Sequence, residues 1–131
     1  MVTAIGVGGF LGSVGRYELT LAWPVHRGGL PWATFAVNAS GSFLLGLVLT
    51  MVLERWGPAN FARPFFCVGV LGAWTTMSTF AVETDLLVRD GHPGVAATYV
   101  AATVGAGLAL AWLGISVARV LDPERVRWAS R

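Results

Sequence analysis

The sequence contains little charge, and this shortage already excludes most soluble proteins. Charged residues make up 12% of the 131 residues, whereas hydrophobic residues make up 55%. A soluble globule of this size needs more polar surface than these residues supply. The composition therefore predicts an integral membrane protein.

Cysteine and histidine are also scarce, which excludes several kinds of site. Cys67 is the one cysteine, so no internal disulfide can form, and we interpret it as a small packing residue. His26 and His92 fall in turn-rich segments, with no cluster of carboxylates beside them. Because no nucleophile, base and orienting group occur together, the sequence predicts neither an enzyme nor a histidine or cysteine metal site. No nucleic-acid partner is expected.

Long apolar runs are abundant instead. A helix of about 20 apolar residues spans the hydrocarbon of a membrane. Four segments reach this length, at residues 2–23, 32–53, 62–88 and 94–119. The connections between them are short and rich in proline and glycine, so neighbouring helices should run antiparallel. The sequence thus predicts an all-α protein in which residues 1–131 form a single four-helix transmembrane domain.

The two ends of the chain raise separate questions. The first apolar segment could be a cleaved signal sequence, but no basic residue precedes it and it continues into Arg16 and Glu18. We therefore expect a retained helix. Residues 122–131 are charged and contain no apolar run, so this tail should lie in water near the lipid headgroups.

Lysine is absent, and the distribution of the nine arginines bears on orientation. If four helices alternate, Arg27 and Arg89 fall on one side of the membrane, or three arginines with Arg16. The other side receives six, namely Arg55, Arg63, Arg119, Arg125, Arg127 and Arg131. By the positive-inside rule, both termini should lie in the cytoplasm.

The third apolar segment carries a polar run, GAWTTMSTF, at residues 72–80. Unsatisfied polar groups at membrane depth cost several kcal/mol each, so these hydroxyls must be buried against other helices or line a path for water or ions. Their number beside Gly72 predicts that the helix breaks between Gly72 and Thr75. Bonding of the hydroxyls back to their own helix, and plain packing of Phe80, are the alternatives.

Three stretches of the sequence resemble the signature stretches of the small bacterial fluoride channels, the CrcB or Fluc family. They are GGFLGSVGRY at 8–17, TFAVNASGSFLLG at 34–46 and GVLGAWTTMSTF at 69–80. The resemblance covers the whole chain in order, length and helix count. It implies a multi-pass protein of the bacterial inner membrane, which forms an antiparallel dimer of four-helix subunits with a broken third helix. It also implies a structural sodium ion at the dimer centre and two pores that export fluoride passively.

The same resemblance implies roles for individual residues. The main-chain carbonyls of Gly72 and Thr75 would hold sodium, and Arg16 would lie near an aqueous vestibule. Hydrogen-bond donors and electropositive ring edges would line the fluoride pore. The residues at these pore positions are Asn38, Met77, Ser78, Thr79, Phe80, Tyr99 and Thr103. For Asn38, the alternative is a hydrogen bond between helices with no role in the pore. Met77 stands where the family has its first pore phenylalanine, so one pore station is weakened or another chain supplies the ring. Glu83 also matches a pore position, although a carboxylate should repel an anion unless it is protonated or turned away.

Two further questions stay open at this point. The second subunit could be a copy of this chain or a related paralogue, and the arginine asymmetry disfavours insertion of one chain in both orientations. A proton-coupled exporter like the small multidrug-resistance transporters is the alternative function. Such an exporter needs a carboxylate in the middle of its first helix, where this chain has only Glu18 near the helix end. A purely structural subunit would not need so many polar groups at membrane depth.

Overall fold

A computed structural model describes residues 1–56 and 61–121, and this part of the chain is helical without any β-strand. The α-helices are α1 (Val2–Ala22), α2 (Trp32–Met51), α3 (Gly72–Trp74), α4 (Met77–Arg89) and α5 (Pro93–Val120). Two π-helical segments, Val52–Trp56 and Arg63–Leu71, continue α2 and precede α3 respectively. The predicted end of the second segment at residue 53 is therefore too early, because the helical winding continues through Trp56. The tail at 122–131 lies outside the described residues.

The helix boundaries follow from proline and glycine. Pro31 precedes α2 and Pro93 is the first residue of α5, positions where the missing N–H of proline costs no helical hydrogen bond. The turns before these helices contain Gly28 with φ 72° and Gly91 with φ 83°. Residues other than glycine rarely adopt a positive φ, so both turns require glycine.

Three helical stretches are long and apolar enough to cross a membrane: Trp32–Glu54, Arg63–Arg89 and Pro93–Val120. The chain is therefore a membrane protein. α1 is not among them, because Arg16 and Glu18 and several glycines lower its apolar content. A membrane span in α1 stays a prediction.

Close backbone contacts join the helices in two pairs. α2 packs along α5, where a methyl group on Gly46 would overlap the carbonyl of Ala111. α1 packs along Arg63–Leu71 and α3, where a methyl group on Gly12 would overlap the carbonyl of Val70. Small residues permit this approach of helix to helix within a membrane. The two pairs meet where α3 gives way to α4.

Candidate functional site

The third predicted span is interrupted at Thr75 and Thr76, which have extended backbones between α3 and α4. Their φ and ψ angles are −75° and 156° for Thr75, and −146° and 117° for Thr76. The helix thus continues through Trp74, so the interruption at Thr75 and Thr76 overlaps the expected interval from Gly72 to Thr75 only at Thr75. Thr76 then caps α4, since its Oγ1 accepts the N–H of Thr79 at 3.2 Å.

Asn38 of α2 explains why the interruption falls at Thr76. Its Nδ2 donates to the carbonyl of Thr76 at 3.1 Å, and its Oδ1 accepts the N–H of Thr76 at 2.8 Å. In a continuous helix that N–H would bond to the carbonyl of Gly72. The carboxamide of Asn38 therefore replaces a turn of helix and satisfies both backbone groups of one residue.

A cavity of about 510 Å³ opens beside this interruption. Four of the predicted pore residues line it, and these are Asn38, Met77, Phe80 and Thr103. Gly72 and Thr75, the predicted sodium ligands, line the same cavity. The Oγ1 of Thr103 is buried and has no hydrogen-bond partner among the described residues. The cavity therefore combines an apolar wall with an unsatisfied hydroxyl.

A second cavity of about 220 Å³ lies on the side of α1. Arg16 supplies its one cationic side chain, and Thr79 is the predicted pore residue that lines it. Its other lining residues are Ser13, Tyr17, Thr20, Thr34, Val37 and Thr76. Thr76 belongs to the walls of both cavities. The predicted site residues are thus divided between two compartments.

The buried Tyr99 and the half-buried Glu83 form a hydrogen-bonded pair outside both cavity linings. Tyr99 is fully buried, and its hydroxyl donates to Glu83 Oε2 at 2.8 Å. Thr34 donates its hydroxyl to Glu83 Oε1 at 2.9 Å. The ring of Tyr99 packs against Phe80 with centroids 5.1 Å apart. Each carboxylate oxygen of Glu83 thus accepts a hydrogen bond, and Tyr99 connects Glu83 to the ring of Phe80.

Ser78 is exposed and lines neither cavity. Its Oγ lies 3.3 Å from Oγ1 of Thr76, which donates to Oγ1 of Thr79 at 2.9 Å. The hydroxyls of the polar run therefore bond mainly to one another. Thr75 follows the alternative noted from the sequence, since its hydroxyl donates to the Leu71 carbonyl of its own helix at 3.1 Å.

Sequence reasoning missed two pairs that hold this region. The first pair is Thr34 and Glu83, which share a hydrogen bond. The sequence offered one indication of it: Thr34 lies four residues before Asn38, so these two residues share one face of α2. Trp74 donates its indole N–H to Ser40 Oγ at 2.9 Å. No spacing in the sequence pointed to this contact.

Comparison with known proteins identifies relatives of the chain. A family model described as CrcB-like protein, Camphor Resistance (CrcB), matches residues 3–115. A Streptomyces avermitilis protein named fluoride-specific ion channel FluC 3 is 48% identical over 131 residues, which are 100% of this chain and 64% of that protein. The FluC 2 protein of the same organism is 42% identical over 104 residues, which are 79% of this chain and 66% of that protein.

A shorter relative matches over nearly its whole length. The fluoride-specific ion channel FluC of Chlorobaculum tepidum is 42% identical over 119 residues, which are 91% of this chain and 94% of that protein. The resemblance noted in the three signature stretches is confirmed, and so is the expectation that the chain is not an enzyme. A family match over residues 3–115 and these identities show that the chain belongs to the CrcB family.

Proposed function

We propose that this chain is one subunit of a fluoride channel that lets fluoride leave the cytoplasm by passive flux across the bacterial inner membrane. The observation that carries the proposal is the cavity of about 510 Å³ beside Thr75 and Thr76. Relatives of the chain are named fluoride-specific ion channels, which supports the choice of ion. Residues 1–131 would act as one four-helix domain.

The cavity offers groups that can replace the water around a small, strongly hydrated anion. The buried hydroxyl of Thr103, a residue of the cavity wall, has no partner among the described residues, so a small rotation of the side chain would let it donate to an anion. Asn38 uses one Nδ2 hydrogen on Thr76 and retains the other. Phe80 adds a ring edge with partial positive charge. These three groups would line the first part of the fluoride path.

The remaining predicted residues would act from the second cavity or through hydrogen bonds. Arg16 and Thr79 line the second cavity, which we assign as the aqueous vestibule. Ser78 would act through its contact with Thr76. Tyr99 would act through Phe80, against which its ring packs. The hydroxyls of Thr34 and Tyr99 would hold the carboxylate of Glu83 in place, since each donates a hydrogen bond to one of its oxygens.

A second subunit in the opposite orientation would complete each path. Met77 and Leu108 line the larger cavity, yet they are 75% and 70% exposed. Such exposed apolar groups at the edge of a cavity fit lipid or another subunit. Because the thioether of Met77 has no ring edge, the partner subunit would supply the aromatic group at that station. The partner is either a copy of this chain or a related paralogue.

A sodium ion held by main-chain carbonyls fits the interrupted segment. The N–H of Thr76 bonds to Asn38, so the carbonyl of Gly72 loses its usual helical partner. Gly72 and Thr75 both line the cavity. Their carbonyl oxygens are the kind of ligand that hard cations prefer. A bound sodium ion would supply positive charge that offsets these carbonyl dipoles at the dimer centre.

The exporter alternative has weaker support. The span Arg63–Arg89 contains two carboxylates, Glu83 and Asp85. Both oxygens of Glu83 accept hydrogen bonds from hydroxyls, and Asp85 pairs with Arg89 at 2.8 Å. Glu18 is exposed on α1 and lines neither cavity. Nothing in the described residues therefore places a free carboxylate where a cationic substrate could exchange with protons.

Fluoride flux from liposomes tests the proposal directly. Liposomes that contain the purified protein with its partner subunit, either a second copy or a co-expressed paralogue, should release fluoride rapidly and passively, as read with a fluoride electrode, without a proton gradient. Proton-coupled movement of an organic cation, with no fluoride release, would overturn the channel. Prolonged replacement of sodium by a bulky organic cation should lower flux or weaken subunit association. Unchanged flux and unchanged melting after this exchange would remove the sodium ion from the proposal.

A further inference from the structure

Trp74 is the last residue of α3, and its indole ring lies between two other helices. A methyl group on Gly15 of α1 would lie 2.8 Å from the ring atom Cζ3, and one on Gly41 of α2 would lie 3.2 Å from Cδ1. The first distance is too short for two carbon atoms in contact, and the second is tight. The nearest atom to a methyl group on Gly41 would be Cγ2 of Thr75. Glycine at position 15 therefore makes room for the ring of Trp74, and glycine at position 41 makes room for Thr75 and the edge of that ring.

The polar end of the ring is held by α2. Trp74 donates its Nε1–H to Oγ of Ser40 at 2.9 Å. Ser40 in turn donates its own hydroxyl hydrogen to the carbonyl of Ala36 at 2.7 Å. Since that hydrogen is occupied, the lone pairs of Ser40 are left to accept the indole N–H. The two bonds form a short chain in which each polarises the other.

Both sides of the interruption are thus tied to α2. Ser40 holds Trp74 on the side before it, and Asn38 holds the backbone of Thr76 on the side after it. Thr75 lies between these two attachments. Its backbone is extended, so helical hydrogen bonding does not fix the direction of its carbonyl.

We propose that the hydrogen bond from Trp74 to Ser40 is a positioning contact that fixes the direction of the Thr75 carbonyl. In the channel proposed above this contact sets the affinity for sodium, and that second part rests on the proposed function. Trp74 acts through Thr75 and touches neither ion. Its loss leaves the helices packed but lets the two extended residues move.

Two variants with matched controls test the contact in the full-length protein. Trp74→Phe keeps a ring in the slot and removes the N–H donor, and Ser40→Ala removes the acceptor. Trp112→Phe and Ser116→Ala are the controls, because Trp112 is 70% exposed on α5 and Ser116 bonds only back to the carbonyl of Trp112.

The first measurement does not depend on fluoride or sodium. Hydrogen exchange at the amides of Thr75 and Thr76 should be about threefold faster or more in Trp74→Phe and in Ser40→Ala, which is the effect of losing one neutral hydrogen bond. The double variant should exchange no faster than either single variant. Exchange at the parent rate in both single variants would overturn the positioning role.

The second measurement is the sodium concentration that gives half-maximal fluoride flux. It should rise about threefold or more in both variants, with maximal flux retained and the controls unchanged. Faster exchange with an unchanged sodium requirement would overturn the link to the ion. No fluoride flux from the parent protein together with its partner subunit would overturn the proposed function, and the exchange measurement would still decide the role of Trp74.

Discussion

The carboxamide of Asn38 binds both backbone groups of Thr76, and this pairing determines the effect of substitution. Asn38→Asp can still accept the N–H of Thr76, but it cannot donate to the carbonyl and it adds a negative charge to the cavity. Asn38→Ser loses both bonds without adding charge. We therefore expect lower fluoride flux from Asn38→Asp than from Asn38→Ser.

Fluoride release from liposomes and thermal melting would be measured together for the two Asn38 variants. Each buried group left without a partner costs about 1–3 kcal/mol, so both variants should melt below the parent. Ser42→Ala is the matched control, because Ser42 lines the same cavity and its hydroxyl bonds only to its own helix. Equal flux from the two Asn38 variants would remove this residue from the anion path.

Phe80 combines a cavity position with packing against Tyr99. Phe80→Ile keeps apolar bulk but removes the ring edge. Contacts of aromatic edges are worth about 0.5–1.5 kcal/mol, so flux should fall by roughly 2- to 12-fold. Phe66→Ile is the comparison, because Phe66 is partly exposed and lines neither cavity. If the Phe80 variant conducts like the Phe66 variant, Phe80 serves only in packing.

Sequence patterns located the polar residues but not their partners. Asn38 and Thr103 were predicted from their types and motifs, and both line the larger cavity. The pairing of Asn38 with Thr76 depends on how α2 docks against the interrupted segment, which no local pattern encodes. The division between two cavities was missed for the same reason, since it depends on which side of Thr76 each side chain occupies.

At the scale of the helices, most boundaries could be predicted because proline and glycine mark the turns. The predicted segment at 94–119 differs by one residue at each end from α5, which spans Pro93–Val120. The π-helical winding of Arg63–Leu71 was not predicted, since periodicity does not separate it from an α-helix over so few turns. An interruption near Thr75 was expected from the hydroxyl-rich run at residues 72–80. The residues at which it falls depend on the hydrogen bonds between Asn38 and Thr76.

The contact between α2 and α5 leads to a test at the helix scale. A methyl group on Gly114 would overlap the carbonyl of Phe43, whereas one on Gly105 of the same helix meets nothing within 4 Å. Gly114→Ala should destabilise the protein by about 1–3 kcal/mol, the usual cost of overpacking. Gly105→Ala should be neutral or stabilising, because alanine favours a helix. Thermal melting in detergent measures both variants, and equal melting would show that α2 and α5 can move apart.

At the scale of the whole molecule, the arginine distribution raises the question of which way the chain inserts. Arg119 lies 3.8 Å from Glu54, so the ends of α5 and α2 meet on one side. The side chain of Arg119 is exposed and that of Glu54 is partly exposed, and such a surface pair contributes little stability. Six arginines assigned to this side predict that it stays in the cytoplasm. We therefore expect one insertion orientation, with a related chain as the oppositely inserted partner.

Paired reporters fused to the C-terminus, each active on one side of the membrane, check this orientation. Signal from the cytoplasmic reporter alone, with weak fluoride flux until a paralogue is co-expressed, is the expected result. Equal signal from both reporters and full flux from this chain alone would identify a homodimer in which Met77 is tolerated. Arg63→Gln with Arg119→Gln would serve as the charge control, since it should weaken any bias that these residues cause.

The position of Thr76 in the walls of both cavities has a consequence for the electric field. If, in the proposed channel, both cavities fill with water and lie in series across the membrane, the membrane voltage falls mainly across Thr76, because water conducts far better than protein. An ion that passes Thr76 would then cross most of the voltage in one step. Substitutions at the outer walls would change how often ions arrive, whereas substitutions at Thr76 would change how strongly the current depends on voltage.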